Sequence, residues 1–183
     1  SEVERVLEEV KKLIEDVKRV VKESEEEVEK LIRDVEREVE RSKRTVDELV
    51  KDVKRAVDRD VDKEKAERLR RKLEELKREV EKVAERSKEN LKRLLTRVRE
   101  VVRESREDLE RLLKKVEEMS RVKDREVLTK VLREVEEAVR RNKERNKRAL
   151  EEVKKTVDRN REDNKRMVDK VRETAKRLKD EVR

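Results

Sequence analysis

Val28-Glu29-Lys30-Leu31-Ile32-Arg33-Asp34-Val35-Glu36-Arg37-Glu38-Val39-Glu40-Arg41-Ser42 is the stretch that decides the fold. Its apolar residues stand at 28, 31, 32, 35 and 39, and every residue between them is charged. That i, i+3, i+4, i+7 spacing is one face of an α-helix. The same pattern occurs 18 residues earlier as Val10, Leu13, Ile14, Val17, Val21, Ser24, and 18 later as Val46, Leu49, Val50, Val53, Val57. Eighteen residues make about five turns of helix at 3.6 residues per turn. A seven-residue repeat winds left-handed and an eleven-residue repeat right-handed. An 18-residue repeat winds neither way, so straight helices are expected.

Two further series carry the same period. The second runs Leu73, Leu76, Val80, Ala84, Ser87, then Leu91, Leu94, Leu95, Val98, Val102, Ser105, then Leu109, Leu112, Leu113, Val116. The third runs Val135, Ala138, Val139, Asn142, Asn146, Leu150, then Val153, Thr156, Val157, Asn160, Asn164, Val168, then Val171, Thr174, Ala175, Leu178, Val182. The series are out of phase. Leu73 stands nine residues beyond the place that continues Val46, and Val135 eight beyond the place that continues Leu109. At about 100° per residue, one continuous helix would scatter its stripe over three faces. The chain therefore turns near 59–63 and near 120–124.

Both turns lack glycine, the usual residue just past a helix end, but both carry start signals. Asp62 is placed as an N-cap, with Val61 and Ala66 spaced as a hydrophobic staple. Asp124 is placed as the next N-cap, with Glu126 in the first turn. Ser1-Glu2-Val3-Glu4 also has the look of a helix start. The expected helices are 2–60, 63–120 and 125–182, each roughly 85–90 Å long at 1.5 Å per residue. Each stripe is about 120° wide, from Val20 to Ile14 in the first helix, which suits a helix with two neighbours. The predicted fold is all-α, a straight antiparallel up-down-up three-helix bundle in one domain over 1–183. Charge is biased to match. Residues 1–60 carry 16 basic and 20 acidic side chains, 61–120 carry 20 and 16, and 121–183 carry 23 and 15.

Composition excludes most chemistry. With no His and no Cys, the imidazole and thiol nucleophiles, bases and metal ligands are missing. Zinc, haem and iron–sulfur sites lose their usual ligands. Without Gly there is no phosphate-cradling loop or dinucleotide fingerprint. No cofactor, no metal and no enzymatic activity are expected. The longest apolar run is two residues, so no membrane span or signal segment is expected. Nothing in the chain gives an address; recombinantly expressed, it is expected to be soluble in the cytoplasm. A 60% charged composition is also a mark of disorder, but a disordered tract has no reason to keep one helical face apolar throughout.

The polar residues on the stripes are the candidate site. In an antiparallel pair, the numbers of level residues add to a constant. Ser24 with Ser105 and Ser42 with Ser87 share one such sum, and Ser105 with Asn142 and Ser87 with Asn160 share another. Two levels result: Ser24, Ser105 and Asn142, and Ser42, Ser87 and Asn160, with Asn146 and Asn164 one turn on. They read as structural layers that fix helix register. A ligand pocket is the competing reading, and close packing of three helices argues against a ligand-sized cavity.

Other candidates yield bland readings. Glu8/Glu9 and Glu25/Glu26/Glu27 fall on the outward arc, and a di-metal bundle site needs inward Glu together with Glu-x-x-His. Arg140–Ala149 resembles a leucine-zipper basic region at Asn146 and Ala149, but Leu150 stands where a second Ala belongs. Both Asn residues of that stretch lie on the stripe, and no aromatic is available to stack on bases. No specific nucleic-acid partner is expected. A pI near 9.5 leaves room only for weak, salt-sensitive attraction to polyanions.

The strict 18-residue unit, the Glu/Lys/Arg surface, the interchangeable Val/Leu/Ile core and the missing aromatics resemble de novo designed parametric helical bundles, in particular untwisted three-helix designs. Ser and Asn on the stripes resemble designed buried hydrogen-bond networks. The resemblance covers the whole chain and implies no ligand and no catalytic residue. The function it implies is a monomeric structural scaffold. The alternative is a homo-oligomer, or one component of a larger bundle whose polar layers choose partners. A helix with three neighbours needs a wider apolar arc than these stripes have.

Overall fold

The computed structural model describes residues 2–122 and 124–182, without the side chains of Val3 and Asp60. Three α-helices account for nearly all of it: α1 (Glu2–Asp60), α2 (Lys63–Met119) and α3 (Arg125–Val182). Only the end of α2 departs from the expected spans, by one residue. The fold is an all-α three-helix bundle with every helix touching the other two. Gly and Pro are the strongest helix breakers, and the chain has neither.

Two compact units divide the chain, one of Ser1–Lys30 with Leu94–Lys154 and one of Leu31–Arg93 with Lys155–Arg183. Each contains a piece of every helix. In the first unit Val10, Ile14 and Val17 of α1, Leu109 of α2 and Val135 and Val153 of α3 are buried. In the second, Val46, Val53 and Val57 of α1 pack with Leu69 and Leu73 of α2 and Val171 and Leu178 of α3 in one apolar cluster. These are the stripe positions of the repeat. Val20, expected at the stripe edge, lies outside the core at 39% exposed, because two neighbours cover less of the helix than its apolar arc offers.

Cross-helix ion pairs fix the directions within each unit. In the first unit, Arg106 of α2 meets Glu25 of α1 at 3.2 Å and Arg99 meets Glu29 at 3.9 Å, so α1 and α2 are antiparallel there. Arg97 and Lys115 of α2 meet Glu152 and Glu134 of α3 in the same descending order. In the second unit α1 and α3 are parallel, with Arg161 on Glu38 and Lys179 on Asp52. Acidic α1 supplies the carboxylate in most of its contacts. Most of these side chains are substantially exposed, so each pair contributes about 1 kcal/mol or less.

Both connections are made without glycine. Asp62 caps α2: its Oδ1 accepts the Lys65 amide at 2.9 Å, and its carbonyl accepts the Ala66 amide at 2.9 Å. Val61 packs on the same apolar cluster as Ala66, as a staple requires. Asp124 caps α3 by accepting the Glu126 amide at 3.1 Å. The end of α2 tightens instead of turning left-handed. The Arg121 amide donates to the Glu118 carbonyl, the Val122 amide to that of Met119, and the Ser120 hydroxyl to that of Glu117. These three-residue bonds satisfy carbonyls that a helix end leaves open. No described residue of either turn has positive φ, so none of them needs the freedom that glycine provides.

Candidate functional site: two polar levels and a cleft

Each unit contains one of the two polar levels. In the first unit, Ser105, Asn142 and Asn146 are buried and Ser24 is half-buried. Asn142 donates its amide to the Ala138 carbonyl one turn back in its own helix, at 2.9 Å. Ser24 and Asn146 line a common hollow of about 10 Å³, at the lower limit of what one water occupies.

In the second unit, Ser87 and Asn160 are buried, and Ser42 and Asn164 are half-buried. Asn164 donates its amide to the Ser42 hydroxyl across α3 and α1 at 2.7 Å. Ser42 in turn donates to the Glu38 carbonyl at 2.9 Å. The cross-helix partner of Ser42 is thus Asn164, the residue expected one turn on from its level. Five buried polar atoms find no hydrogen-bond partner among the described residues: Ser87 Oγ, Ser105 Oγ, Asn142 Oδ1, Asn146 Nδ2 and Asn160 Nδ2. Each such atom costs on the order of 1–3 kcal/mol in lost hydration.

The expectation that the helices close on themselves without a ligand-sized space is corrected here. A cleft of about 360 Å³ opens between α2 and α3 in the second unit. Leu76, Val80 and Ala84 of α2 and Met167 and Val171 of α3 line it, together with Ser87, Asn160 and Asn164. Ala84 and Ser87, two small side chains one turn apart, stand together in its wall. Asn90 and Met167 also line the cleft, and sequence reading passed over both. The available signal was Asn90, an uncharged amide among mostly charged exposed residues.

The carboxylate clusters do not assemble into a site. Glu8, Glu9, Glu26 and Glu27 are exposed, while Glu25 is partly covered by its pairing with Arg106. Among the described residues, no group of three or more Asp or Glu side chains is placed to hold a metal ion. One carboxyl is displaced from its ordinary titration. A hydrogen bond from the Lys115 ammonium, with its charge, holds Glu134 below the usual carboxylate range. No described helix is long and apolar enough to cross a membrane.

Comparison of the chain with protein-family models, with curated proteins and with solved structures finds no match.

Proposed function

We propose that this chain is a designed, monomeric structural scaffold with no natural biochemical activity, in which Ser and Asn on the buried stripes hold the three helices in register. The single observation that carries the reading is the repeat. An 18-residue unit runs through all three helices, and its polar slots recur at one level per unit. A buried amide yields about 1 kcal/mol when bonded and costs more when it is not. Placing four of them on apolar stripes therefore serves uniqueness more than stability. An all-apolar 18-residue repeat looks alike at every level, and slipped alignments become competitive. The monomer is supported by the surface: the large apolar side chains exposed among the described residues are the scattered Val20 and Val122, not a contiguous patch.

The test is the variant in which Asn142, Asn146, Asn160 and Asn164 are all replaced by Val or Leu. Its guanidinium midpoint is expected to stay level or rise. Its mass distribution is expected to broaden, because short connections limit slippage within one chain and favour association between chains. A variant that is less stable and still cleanly monomeric overturns this role for the Asn residues.

A further inference from the structure

The 18-residue repeat supplies an internal control for the cleft. Shifted by one repeat, part of its wall falls on the lining of the small hollow in the first unit: Val80 on Val98, Ala84 on Val102, Asn164 on Asn146 and Met167 on Ala149. The hollow measures about 10 Å³ and the cleft about 360 Å³. Ala84 replaces Val102 and so lacks both γ-methyl groups at a wall position that is buried in both copies.

The polar groups differ in the same way. Asn142 spends its amide on the Ala138 carbonyl. Its copy Asn160 lines the cleft at 5% exposed, with Nδ2 unpartnered. Ser87 lines it at 7% exposed, with Oγ also unpartnered. An apolar recess of a few hundred Å³ with one or two convergent polar groups is the usual form of a small-molecule site. By comparison, an engineered cavity of about 150 Å³ holds benzene.

We propose that this cleft binds a small neutral molecule with an aromatic or branched apolar body and one acceptor oxygen, an aryl ketone in class. The oxygen accepts from Asn160 Nδ2, which reaches it by rotation about the broad χ2 torsion of asparagine. The body lies on Leu76, Val80 and Ala84, with the Met167 thioether against its ring, a favourable sulfur–aromatic contact. The rim is mixed in charge and selects for neither a cation nor an anion. Glu79 and Lys170 are paired across it at 3.1 Å, and Arg86, Arg166 and Asp163 add both signs of charge.

The experiment titrates the whole ¹⁵N-labelled chain with acetophenone and, separately, with α-methylstyrene, which replaces the carbonyl by a methylene of the same shape. Acetophenone is expected to shift the Asn160 side-chain amide saturably and to bind about five- to tenfold more tightly, the value of one neutral hydrogen bond. Ala84→Val, which restores the side chain found in the other copy, is expected to weaken binding at least tenfold without loss of helicity. If that variant does not fold, the ratio between the two probes decides by itself. Absence of a saturable shift, equal affinity for both probes, or undiminished binding by a folded Ala84→Val variant overturns the proposal.

Discussion

Asn164 of α3 and Ser42 of α1, 122 residues apart, are joined by a 2.7 Å hydrogen bond, and the Ser42 hydroxyl donates in turn to the Glu38 carbonyl. One hydroxyl thus both accepts across helices and donates within its own. Ser105, a stripe serine of α2, is fully buried and its Oγ has no partner among the described residues. The two serines look equivalent in the repeat and are opposite in energetics.

Ser42→Ala is therefore expected to lower stability by about 0.5–1.5 kcal/mol, the net worth of a hydrogen bond whose half-buried partner can turn to water. Ser105→Ala removes a hydroxyl that has lost its hydration without replacement, and is expected to be neutral or stabilising. Guanidinium denaturation of both variants, with midpoint and slope compared, checks this. The reverse order of stabilities contradicts it.

Asp62→Ala removes the acceptor for the Lys65 amide at the start of α2 and is expected to cost about 0.5–2 kcal/mol. Asp62→Asn keeps an acceptor oxygen there and should retain most of the stability. Thermal melts of the pair measure the difference. Equal melting of Asp62→Ala and the parent chain shows that this cap contributes nothing.

Glu134 carries the pH prediction. Its carboxyl is held low by the Lys115 ammonium, hydrogen-bonded at 2.6 Å. A carboxyl depressed in the folded state adds stability that is present above its unfolded pKa and is lost as pH falls through the folded one. The site is exposed, so the gain is small and the titration itself is the better readout. Carboxyl ¹³C shifts are expected to place the Glu134 midpoint below the ordinary glutamate range, and to raise it in Lys115→Met. An unchanged midpoint in that variant contradicts the pairing.

Local signals were the legible part of this fold. Asp62 and Asp124 announce their helix starts because capping is settled within a few residues, and the stripe phases locate both turns for the same reason. The levels of Ser42, Ser87 and Asn160 were legible as arithmetic on their positions. Their bonds were not, since the positions do not distinguish Asn160 from Asn164, one turn apart, as the partner of Ser42. Ala84 stood openly in the slot of Val102, but the space left by a small side chain depends on how far its neighbours collapse. No single-chain pattern records that. Val20 shows the converse: a stripe gives the direction of a core and not the reach of the helices that cover it.

In the proposed monomer the three helices of one chain satisfy one another. Light scattering coupled to size exclusion tests it most directly, over a wide range of concentration. The expected mass is 22.3 kDa, that of one chain, at every concentration. A mass of twice that or more, independent of concentration, contradicts it and makes the chain a subunit of a larger bundle.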